Sequence, residues 1–313
     1  SLEGQFEFTA RTESIQSLAG SLGTQLPIDA TASTNGVLTC ANSSCSIEVV
    51  NVGISSPQLE VSGRGRVDRL DEQPQLALNF EGNTEDIAVL AQAWGRQWPI
   101  PPHLEASVTG WLDLHGNEAR LSGLVGQISG AGLSGRFTGS LINLMHVPRL
   151  TWDLNLDVAE LGRLIEYYGG PGDYHESAQV RLQVRPSDKR ALPLTVYGEL
   201  LTDALAAELT GEFEAFDEKS GFSASFMLTA EGPQGLRQIT SWRLPPMGRL
   251  QVTGEVSRAT DTDESISGSV NLESEKLGQL SAEGVLGEQW KIGSQLELKF
   301  KMDRLSKVTA RLR

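Results

Sequence analysis

The chain has 313 residues, of which 39% are hydrophobic and 21% charged, with 33 glycines and a net charge of -14. It is too apolar to stay disordered, longer than most single cores, and well above the usual glycine share of about 7%. The negative balance argues against nucleic acid, where counterion release needs clustered Lys and Arg, and leaves apolar surface as the only means of lipid contact.

The chain opens at Ser1 directly into an alternating stretch, LEGQFEFTA, with no charged, apolar, small-residue leader and no window of about 18 apolar residues. We read it as a piece of a longer protein. In TESIQSLAGSLG the apolar residues Ile15, Leu18, Ala19 and Leu22 follow helical spacing and Gly23 marks a stop. Cys40 and Cys45 flank a four-residue turn cluster in LTCANSSCSI. A cross-strand disulfide closing that hairpin would imply an oxidising compartment; two free thiols are the alternative, and no nearby His supports a metal site.

The helical pattern returns in TEDIAVLAQAWG (Ile87, Leu90, Ala91, Trp94, stop at Gly95) and in DVAELGRLIEYYG (Leu161, Leu164, Ile165, Tyr168, stop at Gly169). In the latter, Asp157 reads as an N-cap with Glu160 as its partner. A weaker copy starts at Leu236 and loses its last apolar position to Arg243. The anchors Ile15, Ile87, Leu161 and Leu236 follow one another at intervals of 72, 74 and 75 residues. Regular spacing of this kind marks an array. The expectation is one continuous array over 1–313, with repeats near 1–80, 81–154, 155–228 and 229–300, and a further unit beginning at 301–313.

Between helices the chain alternates apolar and polar residues, with turn clusters about every 10 residues, which predicts antiparallel strands with one dry and one wet face. The fold class expected is mainly β, with one short amphipathic helix per repeat. Glycine falls repeatedly on the dry parity, as in Leu133, Gly135, Phe137, Gly139, Leu141. Either glycine lets the sheet bend or a facing backbone approach, or it leaves an elongated space for something thin and apolar. The two readings are compatible. Candidate lining positions are Val61, Gly63 and Val67, then Leu78, Phe80, Val108, Gly110 and Leu112, then Gly135, Phe137, Gly139, Trp152, Leu154 and Leu156. Further along they are Val180, Leu182, Val196, Phe213, Phe222, Phe226, Leu228, Val252, Gly254, Val270, Leu272, Gly284, Leu296, Leu298 and Phe300.

The stretch RLSGLVGQISGAGLSGRFTGSLINLMHVPRLTWDLNLDVAELGRLI resembles the AsmA-like envelope proteins of Gram-negative bacteria. Its small-residue strand Leu133 to Gly139, the Pro148 to Leu150 turn and the helix opening Leu156 to Leu161 carry the likeness. The unit before it matches internally, LEVSGRGRV preceding QPQLALNFEGNTEDIAVL as LSGRFTGSL precedes VPRLTWDLNLDVAELGRL. The resemblance covers nearly the whole chain and is clearest from about residue 28 to 170. It implies an elongated, U-shaped, taco-like β-groove in a periplasmic protein, held in the inner membrane by an N-terminal helix that this chain lacks. It also implies phospholipid acyl chains as cargo, moved toward the outer membrane.

Nothing in the sequence resembles a catalytic centre, and we expect no enzyme, cofactor or metal. His103, His115, His146 and His175 are scattered; Asp261, Asp263 and Glu264 lack the ordered ligands of a calcium loop; no nucleophile elbow or phosphate loop occurs. Trp111 falls on the wet parity as an amphipathic filler. Two rival functions remain. One is an assembly factor that holds outer-membrane β-strands along its edges; the other is a structural or adhesive β-repeat rod.

Overall fold

A computed structural model describes residues 4–17, 29–41, 44–70, 74–93, 101–115, 118–143, 149–167, 175–189, 192–214, 220–232, 248–258, 266–276, 278–286 and 295–302. The protein is mainly β and antiparallel. It divides into two compact units, Ser1–Leu154 and Asn155–Arg313.

The first unit runs β1 (Gly4–Thr12), β2 (Thr31–Ala41), β3 (Ser44–Ser55), β4 (Glu60–Asp68), β5 (Gln75–Thr84), α1 (Ile87–Ala93), β6 (Glu105–His115), β7 (Glu118–Gly130) and β8 (Leu133–Ile142). Each strand from β1 to β8 pairs antiparallel with the next. Strand β9 (Arg149–Val158) straddles the boundary. The second unit continues with α2 (Leu161–Tyr167), β10 (Ala178–Pro186), β11 (Leu194–Leu201), β12 (Leu205–Phe213), β13 (Phe222–Ala230), β14 (Leu250–Arg258), β15 (Ile266–Ser274), β16 (Gly278–Leu286) and β17 (Gln295–Met302). Strands β10 to β17 again pair in chain order.

The repeat has a local signature at one rim. The helix anchors Ile15, Ile87 and Leu161 each donate their backbone N–H to a carbonyl just before the next strand, Ala30 at 2.8 Å, Leu104 at 2.8 Å and Glu176 at 3.0 Å. The segment before each helix is also shared. Ser14 Oγ accepts from Ser17 N, and Asp86 Oδ1 accepts from Ala88 N, so each caps free N–H groups of a helix start. In the third copy Glu160 stands where Ser14 and Asp86 stand, directly before Leu161, and Asp157 belongs to β9. The proposed cap at Asp157 is therefore corrected: the strand continues to Val158, because Leu154, Leu156 and Val158 keep period-2 alternation to that point.

At the same rim the strands not joined by a helix turn over four residues, SPQL at 56–59, GAGL at 130–133, TDAL at 202–205 and SEKL at 274–277, at intervals of 74, 72 and 72 residues. Ser56 and Thr202 build one turn: their side-chain oxygens accept from Leu59 N at 3.0 Å and Leu205 N at 3.0 Å. In the second copy Ala131 and Gly132 have φ of 50° and 76°, the left-handed pair of a tight hairpin turn. Leu277 lies outside the described residues, as do Leu18, Leu22, Gly23, Trp94, Gly95, Tyr168, Gly169, Leu236 and Arg243. Among the described residues, the intervals from Ile15 to Ile87 and from Ile87 to Leu161 each run from a helix start through four strands.

Burial concentrates along this rim. Leu104, Leu133, Val158, Ala178, Leu205, Ala230 and Leu250 are buried at strand ends, with Ala91 and Leu161 buried on the helices. Elsewhere the dry parity is mostly half-buried.

Two bulges correct the phase of the alternation. An extra residue at Val50 in β3 lets Val49 and Val52 both face the dry side, opposite Gly65 and Gly63. An extra residue at Gly123 in β7, with φ of 58°, does the same for Leu121 and Leu124 and sends Val125 to the wet face at 53% exposure. Strands β3 and β7 occupy the same place in consecutive repeats, whereas β11 pairs with both neighbours in unbroken register.

If the rim is the packed part of each unit, Leu250→Ala, at 0% exposure, should cost about 2 to 5 kcal/mol. Leu182→Ala, half-buried on the open face, should cost only about 1 kcal/mol. Urea unfolding of both variants measures the contrast; equal losses would show one continuous core.

Candidate functional site: the dry sheet face

Backbone register brings the candidate lining positions onto one face of each unit. In the first unit one row across the strands reads Gly63, Phe80, Gly110, with Leu124 and Gly139 continuing it. Its neighbour reads Val61, Gly82, Val108, Gly126, Phe137. In the second, Leu182, Gly198, Leu209, Phe226, Gly254, Val270, Ala282 and Leu298 form a row across eight strands. Large and small residues alternate across neighbouring strands, except where Leu209 faces Phe226. Val67, Leu78 and Leu112 lie on the same side in the first unit; Val180, Val196, Phe213, Phe222, Leu228, Val252, Leu272 and Gly284 do so in the second.

The glycines show why the alternation exists. A Cβ added at Gly36 would come within 2.9 Å of the Phe8 ring and one at Gly110 within 3.3 Å of the Phe80 ring. At Gly126 and Gly254 it would fall inside the rings of Phe137 and Phe226. All four are cross-strand partners. Each ring leans sideways over the glycine beside it rather than standing off the sheet. At Gly63 the added atom would meet Asn79 O at 2.8 Å, so there glycine admits a neighbouring backbone. The two readings of glycine thus separate by position: rings or carbonyls fill the notch at these residues, while Gly82 and Gly198 leave ordinary room, with nearest atoms at 3.5 and 3.6 Å. Rings also stack along the face, Phe137 on Trp152 at 4.6 Å and Phe213 on Phe222 at 5.9 Å.

Despite its composition the dry face is not covered. Of the candidate lining residues with described side chains only Gly110, Phe137 and Val196 are buried, and Val270 is 38% exposed. The accessible surface is 20803 Å². A compact monomer of 33.8 kDa would expose about 13,000 Å² and two compact halves about 15,000 Å². Folding leaves a large amount of surface in water.

The opposite face is polar. In the second unit two adjoining depressions of about 500 and 750 Å³ open there, sharing Thr210, Ser225, Glu255, Ser269 and Glu283 in their linings. They are lined by Ser, Thr and Glu with mainly the floor contributed by dry-parity residues such as Phe226 and Gly254. Beside them the Tyr197 hydroxyl is pushed above its ordinary value by desolvation and by the Glu199 and Glu208 carboxylates. Trp111 stands on the wet face at 49% exposure. Among the described residues no group of three or more His, Cys, Asp and Glu is placed to hold a metal, and no helix is long and apolar enough to cross a membrane. His146, Asp261, Asp263 and Glu264 lie outside the described residues.

Cys40 and Cys45 form a disulfide between directly opposed residues of β2 and β3, with Cα atoms 4.2 Å apart. A disulfide of this kind fits an oxidising compartment. No family model, curated protein or solved structure matches the chain.

What sequence reasoning missed on this face is Leu124, hidden because strict alternation through β7 favours Val125; the clue was the glycine at 123 between two leucines. It also stopped short of the last dry position of β14, Arg258.

Asp86 joins α1 to the chain before β6. Its Oδ2 accepts from His103 N at 2.9 Å while Oδ1 caps the helix. Desolvation pushes the carboxyl up, but backbone N–H donors from His103, Ala88 and Val89 outweigh it and hold it below the ordinary value of 3.8. A group lowered in the folded state stabilises fully above its unfolded value and loses that contribution as pH falls through the folded one. Asp86→Ala should therefore cost about 1 kcal/mol near neutrality, and the difference from the parent should fade in acid. Urea titrations at about pH 7 and about pH 2.5 check this; a pH-independent difference would show that the charge is not involved.

Proposed function

We propose that this chain is a section of a bridge-like lipid carrier of the AsmA-like kind, acting in the periplasm of a Gram-negative bacterium without catalysing a reaction. The observation that carries the proposal is a sheet face apolar almost throughout, continuous from strand to strand within each unit, and yet left half-exposed. Contiguous apolar surface beyond a few hundred Å² is a site for something else to cover. An acyl chain fits such a face because it needs dry contact along its length and no specific partner. Rings laid over glycines favour the same cargo, since they keep the wall low and smooth. Headgroups would remain in water at the open side, and direction would come from outside the section. The disulfide supports the oxidising compartment that the periplasm supplies.

Phospholipid bearing brominated acyl chains distinguishes the two faces, because bromine quenches tryptophan on contact. In proteins retaining one tryptophan, Trp152 on the dry face should be strongly quenched and Trp111 on the wet face should not. Equal quenching, or none, together with no phospholipid in organic extracts of the purified protein, would end the carrier proposal. Leu154→Asp and Phe226→Asp should abolish transfer of labelled lipid while strand circular dichroism persists. Unfolding in both would instead mark a packed interior, as a structural rod requires, and capture of denatured β-barrel protein would favour an assembly factor.

A further inference from the structure

The polar face of the second unit carries a trough that the carrier reading does not use. The five residues shared by its two depressions, Thr210, Ser225, Glu255, Ser269 and Glu283, are consecutive cross-strand partners from β12 to β16. They form one straight row across five strands, and the depressions of about 500 and 750 Å³ lie on its two sides. From β13 onward the row alternates serine with glutamate, so short hydroxyl side chains leave a low floor between longer carboxylates. Glu208 borders the first depression and Glu212, paired with Lys189, the second.

No Lys, Arg or His lines either depression. Tyr197, the partner of Thr210 on β11, continues the row. Its hydroxyl is held above its ordinary value by desolvation first and then by the Glu199 and Glu208 carboxylates, a local sign of negative potential. Charge complementarity therefore calls for a cationic occupant. Glu255 and Glu283 stand two strands apart, about 9.5 Å between backbones. A single metal ion holds its oxygen ligands within about 2.6 Å and does not bridge backbones set so far apart through short side chains. An occupant that answers both carboxylates carries separated positive charges on a thin, extended body. Ser225 Oγ donates to the Thr210 carbonyl at 3.4 Å, which leaves its own lone pairs to accept, and an ammonium offers three donors and no acceptor. Exposed ion pairs are individually weak and screened by salt, so retention requires several at once.

We propose that this trough binds a linear oligoamine lying across β12 to β16, with its ammonium groups against Glu208, Glu255 and Glu283 and its methylenes over Ser225 and Ser269. The inference concerns the face opposite the apolar one and does not rest on the lipid-carrier reading.

Calorimetric titration of the full chain at low ionic strength tests it, with spermidine as the extended oligoamine and putrescine as a short diamine whose ammoniums cannot reach both carboxylates. Spermidine should bind about tenfold tighter than putrescine. Glu255→Gln combined with Glu283→Gln should bring spermidine down to the putrescine level. Glu118→Gln combined with Glu273→Gln removes the same charge at exposed positions outside the trough and should change spermidine affinity by about twofold or less. All four positions are exposed, so strand circular dichroism should not change. The proposal is overturned if spermidine does not bind, or if the two pairs of substitutions weaken it equally, since the attraction would then belong to the net charge of -14. Magnesium binding that depends on Glu255 and Glu283 in the same way would overturn it in favour of a divalent cation. Trilysine binding tighter than spermidine with that dependence would overturn it in favour of a basic peptide. None of these outcomes alters lipid quenching of Trp152, which reports on the other face.

Discussion

Side chains on a strand alternate faces with a period of two, and in this protein that constraint is kept through every ladder of both units. A slip of one residue in any strand would move its whole apolar set into water. The chain therefore needs devices that hold phase, and they are visible. The bulges at Val50 and Gly123 absorb an extra residue where strict alternation would have turned Asn51 or Val125 to the dry side. The four-residue turns closing on Leu59, Leu133 and Leu205 fix where each hairpin starts. The helix anchors Ile15, Ile87 and Leu161 fix where each four-strand group begins.

Stability and exposure are divided between regions. The rim with helices and tight turns holds many of the buried residues, the fully buried Leu250 among them, while Leu124, Phe137, Val184, Val196 and Ala224 are buried away from it. Most of the remaining dry face is half-buried, and a half-buried residue contributes less to stability than a fully buried one. A sheet arranged in this way does not depend on filling its apolar face, and that is the physical condition for the face to accept a removable ligand. A packed sandwich, where the same face supplies the core, cannot release it.

Much of this was legible in the sequence because it depends on periodicity. The intervals between Ile15, Ile87 and Leu161, the alternation along β6, β9 and β13, and the hairpin between Cys40 and Cys45 are all local patterns. What was not legible depends on non-local partners. Glycine on the dry parity signals room, but only the register reveals that Phe137 fills the place beside Gly126 and Phe226 that beside Gly254. The cap at Asp157 was misplaced because an acidic residue three before Glu160 imitates a capping pair, and the strand's apolar alternation outweighs it. The turn signature ending in leucine was readable at 56, 130, 202 and 274 but is short, and its spacing becomes meaningful only once the strands on both sides are known.

The ring-over-glycine pairs bear on how an apolar face can stay open without collapsing. An aromatic side chain standing upright on a sheet would interdigitate with any opposing surface and would favour closure into a core. A ring laid over a neighbouring glycine has its contacts satisfied within the sheet, on one side by backbone and on the other by the next ring, as Phe137 is by Gly126 and Trp152. Less of its surface is left to seek a partner. The same choice that spends glycine on inward positions thus lowers the drive to self-association and keeps the face smooth, so glycine and phenylalanine act here as one unit rather than as gap and obstacle.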